Sequence, residues 1–226
     1  MRLKRRILAA LCLLALVLLS GCSEKPPFEG IPNPQATIEL SNGKTLRFEL
    51  FVQDAPNTVA NFVELANSGF YDGQRFFRIV PGVLIQAGDP DNSGYGGTDY
   101  VIQGEFAANG IENPVSHTRG TISMARQSQY DTASSQFFIM QGNYPEYDGQ
   151  YAAFGRATDA ESLAAIDEIA STPVDGSYRA IGAVPTIKSI RVETDGYSYT
   201  ASKLDPPEQT ENKKRIEFNT DAQSDG

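Results

Sequence analysis

The sequence predicts a mainly β fold, an antiparallel barrel of about eight short strands capped by two helices. Three features carry that expectation. Eight short apolar stretches recur between turns rich in Gly, Asn and Pro. One of those turns, Asn42-Gly43, is a strong hairpin signal. Two further stretches, after Pro56 and over residues 160–170, space their apolar residues for a helix rather than a strand.

Taken in order, residues 36–40 and 44–51 alternate apolar and polar on either side of Asn42-Gly43 and read as the first hairpin. Pro56 then occupies a favoured first-turn position, with Val59, Phe62, Val63 and Ala66 at helical spacing and Gly69 where a helix stop belongs. Residues 76–79, 84–86, 121–125, 136–140 and 152–155 read as further short strands. The second helix follows over 160–170, and a last strand over 186–192. No internal repeat is visible.

The two ends differ from this body. Arg2, Lys4, Arg5 and Arg6 precede an unbroken apolar run over residues 7–19, and Ser20-Gly21-Cys22 ends it with small residues. That is the layout of an export signal, and 13 residues fall short of the ~20 that a spanning helix needs. The stretch Leu19-Ser20-Gly21-Cys22 resembles a bacterial lipobox, which implies a signal peptide over 1–21 and a lipid on Cys22. Ser23, rather than Asp, after that cysteine implies the outer membrane, facing the periplasm, in a double-membraned host. Residues 22–35 would be a linker, with four Pro in 23–35 and a reach of about 40 Å at ~3.1 Å per residue. The globular domain is expected over 36–193. Residues 194–226, charged and poor in apolar side chains from 203 onward, are expected to be a disordered tail.

Composition removes several chemistries. Residues 1–21 contain four of the 19 Lys and Arg and none of the 28 Asp and Glu, so the remaining chain carries a net charge of −13. A body that acidic has no basic patch for nucleic acid, and membrane contact falls to the lipid anchor. Cys12 and Cys22 are the only cysteines, so the processed domain has neither a disulfide framework nor a thiol nucleophile. With one histidine, no usual zinc or transition-metal set can form, and no metal or cofactor is expected. His117, in the polar loop Ser116-His117-Thr118-Arg119-Gly120, is expected to be a structural, hydrogen-bonding residue rather than part of a Ser-His-Asp triad. The stretch Ser93-Gly94-Tyr95-Gly96-Gly97 lacks a following helix and a Lys-Ser/Thr pair, so it reads as a turn or binding loop and not a phosphate cradle. Asp89, Asp91 and Asp99 miss the spacing of a calcium loop.

The informative segments are Phe76-Phe77-Arg78-Ile79-Val80-Pro81-Gly82-Val83-Leu84-Ile85-Gln86-Ala87-Gly88-Asp89, Gly120-Thr121-Ile122-Ser123-Met124-Ala125-Arg126, Ser134-Ser135-Gln136-Phe137-Phe138-Ile139 and Tyr147-Asp148-Gly149-Gln150-Tyr151-Ala152-Ala153-Phe154-Gly155. They offer one Arg, two Gln and several aromatic and aliphatic groups on neighbouring strands. An apolar groove with a few placed polar groups suits a peptide, although a lone Arg on a strand is by default a surface charge. In order and spacing these four segments strongly resemble the cyclophilin family across about residues 36–193, and Ala55-Pro56 with Thr58, Asn61 and Phe62 resembles its first helix.

The resemblance implies an eight-stranded barrel with two capping helices. It implies a monomeric peptidyl-prolyl cis/trans isomerase acting on proline-containing unfolded or extended polypeptides. Position by position, Arg78 matches the catalytic arginine, Gln86 a glutamine that holds it, and Phe138 the floor of the proline pocket. Leu84, Gln136 and Tyr147 match groups around that pocket, Ala125 and Arg126 residues that contact the peptide main chain, and Gly94 a glycine of the adjacent groove. Three positions depart from the family: Val83 where Phe is common, Glu146 where many members carry Trp, and Tyr151 where His is frequent. Val83 makes one pocket wall smaller, and Glu146 implies weak cyclosporin binding. The competing expectation is a binding or chaperone module of the same fold with little turnover.

Overall fold

A computed structural model describes residues 28–207. Eight strands form one antiparallel sheet: β1 (Gln35–Leu40), β2 (Thr45–Leu50), β3 (Arg78–Val80), β4 (Leu84–Ala87), β5 (Thr121–Met124), β6 (Phe137–Met140), β7 (Ala153–Ala157) and β8 (Ile187–Glu193), in the order β3-β4-β6-β5-β7-β2-β1-β8. The two ends of the sheet curl toward each other. Just ahead of β3, Gly73 donates to the Ile187 carbonyl and the Gln74 carbonyl accepts the Ile187 N–H, at 2.7 and 2.8 Å. Helices α1 (Pro56–Asn67) and α2 (Ala160–Ala170) complete the fold, so the predicted architecture is the observed one. Among the described residues no helix is long and apolar enough to cross a membrane.

Strand alternation sorts the side chains. Ile79, Ile85, Ile139 and Ile122 lie opposite one another across β3, β4, β6 and β5, and all are fully buried in the main core. Their immediate neighbours form a parallel row on the other face, and that row builds the site. Residues 76 and 77, predicted as strand, lie outside β3. Both phenylalanines are nevertheless buried, and apolar content rather than pairing produced the strand signal.

Helix α1 sits on the core through Phe62, whose ring lies 5.4, 5.5 and 5.1 Å from those of Tyr71, Phe137 and Phe154. Its first turn has no local cap, because Ala55 has no acceptor side chain. Glu105 supplies one from a distance: its carboxylate accepts the N–H groups of Asn57 and Thr58 at 2.9 and 2.7 Å and the Thr58 hydroxyl at 2.6 Å. A carboxylate at a helix N-terminus satisfies exposed donors and opposes the helix dipole. Helix α2 is capped in the ordinary way, Asp159 accepting from the Ser162 N–H at 2.7 Å.

The tail expected from residue 194 requires correction, because residues 194–207 pack on the domain. Tyr199 is buried and stacks on Phe28 at 5.1 Å. Asn57 binds Ser202 in both directions, Lys203 pairs with Glu64 at 3.0 Å and lies over the Tyr100 ring, and Leu204 exchanges two backbone bonds with Val101. The few apolar residues of this stretch sit where the body offers matching partners, which composition alone does not reveal. The signal segment, Cys22 and residues 208–226 lie outside the described residues.

Candidate active site

The outer-face row reads Arg78, Gln86, Phe138, Ser123 across β3, β4, β6 and β5. Strand pairing therefore brings together three of the sequence-predicted catalytic residues without help from any loop. Arg78 is only 7% exposed, so its stem and charge are embedded in the surface rather than extended into water. A buried cation requires hydrogen bonds, and a chain of amides provides them. Arg78 Nη1 donates to Gln86 Oε1 at 3.2 Å, Gln86 Nε2 to Gln136 Oε1 at 2.8 Å, and Gln136 Nε2 to the Gly96 carbonyl at 2.8 Å. Each glutamine accepts at one end and donates at the other, which orients both amides and, through them, the guanidinium.

The last acceptor belongs to the loop 89–97, which Asp89 anchors from within. Its fully buried carboxylate accepts the N–H groups of Asp91, Gly94 and Gly96 and the Ser93 hydroxyl. Gly88 turns the chain out of β4 at φ +91°, where a Cβ would stand 2.3 Å from the Ser135 carbonyl; only glycine fits. Gly94 lies beside the side chains of Arg179 and Phe77.

That cluster is the second hydrophobic core of the molecule. Val80, Val83, Leu84, Ala125, Phe138, Met140 and Tyr147 pack together, with Tyr144 and Tyr151 against them. All predicted pocket residues other than Gly94, Gln136 and Arg126 meet here. Phe138 lies at the centre, its ring 6.1 Å from Tyr147 and 5.6 Å from Tyr151, both edge-on. The Tyr147 hydroxyl is pushed up to about 12, chiefly by burial and then by the neighbouring Tyr151 phenol, against the opposing pull of the Arg78 charge. Burial likewise raises Tyr151, against Arg126 and Arg78. Both phenols are thus neutral donors beside a fixed cation. Glu146 is exposed in the turn Pro145–Tyr147.

Arg126 is turned inward. Its guanidinium donates twice to the Gln150 carbonyl, at 3.1 and 3.0 Å, and once to that of Gln127 at 2.9 Å. It lies 5.1 Å from the ring centres of Phe106 and Tyr130 and 4.8 Å from that of Tyr151. The side chain braces the Tyr151 wall. Sequence reading missed Met140 and Tyr144 as pocket groups, and Asp89 and Arg179 as supports. Met140 was detectable, because it follows Phe138 by two on the same strand face. The others act through loop geometry that has no periodic signature.

His117 stands behind the pocket, its ring nearly parallel to Phe138 at 6.0 Å and flanked by Asp148 and Ser123. The expectation of a hydrogen-bonding role matches this position.

An oriented cation beside an apolar cluster, both on one sheet face, is an arrangement suited to a peptide ligand. The model of the cyclophilin type peptidyl-prolyl cis-trans isomerase/CLD family matches residues 36–192. A peptidyl-prolyl cis-trans isomerase of Helicobacter pylori is 44% identical over 134 residues, covering 59% of this chain and 79% of its own. One from Synechococcus elongatus is 46% identical over 129 residues, covering 57% and 83%. The crystal structure of a cyclophilin type isomerase from Cryptosporidium parvum, obtained in the presence of the dipeptide Ala-Pro, superposes with a TM-score of 0.61 at 32% identity, covering 70% of this chain and 98% of that one. This chain belongs to the cyclophilin-type peptidyl-prolyl cis-trans isomerase family.

Burial keeps the His117 imidazole below its ordinary pKa, against the opposing hydrogen bond and charge of Asp148. The groups facing it are Asp148, Ser123, Phe138, Tyr147 and Tyr151. The folded ring is therefore neutral where the unfolded one, with a pKa of ~6.5, takes up a proton. Unfolding binds that proton, so stability is complete above about pH 6.5 and declines as pH falls from there toward the lower folded value. Chemical denaturation between pH 8 and 5 should show this decline in the wild type and a flatter profile in His117→Gln. Equal slopes in the two proteins would count against a buried neutral His117.

Proposed function

We propose that this chain catalyses prolyl cis/trans isomerisation by stabilising the twisted amide with Arg78, and that it serves exported polypeptides from a lipid anchor on Cys22. The observation that carries the mechanism is the buried Arg78, oriented by Gln86 on the same sheet face as Phe138. Rotation about a prolyl C–N bond meets a barrier of roughly 18–20 kcal/mol because of its partial double-bond character. Uncatalysed exchange takes tens to hundreds of seconds. No bond breaks, so the chemistry calls for no nucleophile, metal or cofactor. It requires tighter binding of the twisted amide than of the planar one.

In the twisted amide the proline nitrogen regains its lone pair and the carbonyl loses resonance. A guanidinium held in place beforehand meets that change without reorganising. The cluster around Phe138 accepts the pyrrolidine ring and strips water from the amide. Val83 leaves one wall smaller, but the floor and the cation do not depend on it. The Ala-Pro dipeptide named with the Cryptosporidium parvum relative supports a proline-containing ligand here.

Replacing Arg78 with Ala in the full chain is expected to lower kcat/KM for an Ala-Pro peptide about 100-fold or more, read by NMR exchange or a protease-coupled assay. Variant and wild-type rates that agree would remove Arg78 from the mechanism. Near-zero rates in both, with peptide binding intact, would instead mark a binding module.

The envelope location is supported by the signal layout and by the lipobox-like residues 19–22. A multiply acylated cysteine holds firmly, at ~0.8 kcal/mol per buried methylene, where a single chain does not. Cys22→Ser is expected to move the protein from the membrane pellet to the soluble fraction. Unchanged pelleting would place the attachment elsewhere.

A further inference from the structure

His117 is the only histidine of the chain, and all four of its polar groups are directed to the prolyl site. Its carbonyl accepts the Tyr144 N–H at 2.9 Å, and its own N–H donates to Asp148 Oδ1 at 2.6 Å. Ring Nδ1 lies 3.0 Å from the same Oδ1, and Nε2 lies 3.0 Å from Ser123 Oγ. A carboxylate can only accept, so the network puts the ring proton on Nδ1 and makes the Ser123 hydroxyl the donor to Nε2. Ser, His and Asp stand here in the order of a hydrolytic triad, but Ser123 is fully buried and its Oγ is closed to a substrate.

The partners fall into two groups. Three of the four bonds reach the turn 144–148, which carries Tyr144 and Tyr147. The fourth reaches Ser123, the strand partner of Phe138. The ring fills the space between those groups: 17° from parallel with Phe138 at 6.0 Å, and edge-on to Tyr147 and Tyr151 at 5.9 and 6.4 Å. Phe138 is held by β4 and β5 on either side. Tyr147 sits in a short 3-10 turn outside the sheet. His117 links the two, and an apolar ring of the same size would fill the gap without fixing either edge.

We propose that His117 is a positioning residue for prolyl isomerisation, a polar spacer that sets the Tyr147 wall relative to the Phe138 floor. The proposal rests on the reading of this face as the prolyl site. A displacement of about 1 Å in such a wall can cost as much as 100-fold in rate.

The test compares full-length wild type, Asp148→Ala and Asp148→Asn for kcat, KM, thermal midpoint and the Phe138 and Tyr147 ring resonances. Asp148→Ala removes the acceptor of both bonds, whereas Asp148→Asn keeps an oxygen at that position. The expected result is a ten- to hundredfold loss of kcat/KM and shifted Tyr147 resonances in Asp148→Ala, with most of both recovered in Asp148→Asn. A folded Asp148→Ala with unchanged kcat, KM and resonances overturns the proposal, and so does an equal loss in Asp148→Asn. If Asp148→Ala does not fold, Ser123→Ala takes its place, and unchanged kinetics there overturn the proposal equally. A wild type without turnover speaks against the isomerase reading instead; the ring resonances and peptide affinity of the same variants then decide the role of His117.

Discussion

Register across β3, β4, β6 and β5 is what the rest of the site depends on. With a side-chain period of two, placing Ile79, Ile85, Ile139 and Ile122 inward obliges Arg78, Gln86, Phe138 and Ser123 to face outward together. A slip of one residue would turn an isoleucine outward in any of the four strands, and in β3 or β4 it would bury the Arg78 charge or the Gln86 amide in the main core. Four fully buried isoleucines, each worth roughly 1.5–3 kcal/mol, hold the register against that slip. The chemistry of the outer face is thus positioned by the packing of the inner one.

A sheet places residues in rows but leaves side chains free to turn, and the polar groups behind the pocket remove that freedom. Gln86 and Gln136 orient Arg78, and Asp89 holds the loop whose Gly96 carbonyl ends the chain of amides. Arg126 fastens the Tyr151 side of the wall through Gln150 and three aromatic rings. His117 fastens the Tyr147 side. These contacts pre-form the pocket, so a bound peptide has less ordering to impose.

Much of this was legible in the sequence because it follows from short periods. The hairpin at Asn42-Gly43, both helices and all eight strands could be placed from alternation and turn residues, with boundaries off by one or two positions. The role of Arg78 was not legible that way. A lone arginine on a strand looks like a surface charge until its partner Gln86, 8 residues further on, and Gln136, 50 residues beyond that and bonded to Gln86, are known to be adjacent. Family resemblance supplied that adjacency where periodicity could not. The inward turn of Arg126 and the docking of residues 194–207 depend on aromatic rings brought in from distant loops, and neither leaves a local pattern. Glu105 likewise caps a helix that begins about fifty residues earlier in the chain.

The most direct test of the account is where a proline ring binds. An isotope-filtered NMR experiment on the full chain with an Ala-Pro peptide should give contacts from the pyrrolidine ring to Phe138, Leu84 and Tyr147, and from the preceding residue to Arg78. A proline ring found elsewhere, for example in the groove that Lys44, Arg47 and Glu161 line between β2 and α2, would contradict the assignment of the outer-face row as the prolyl site.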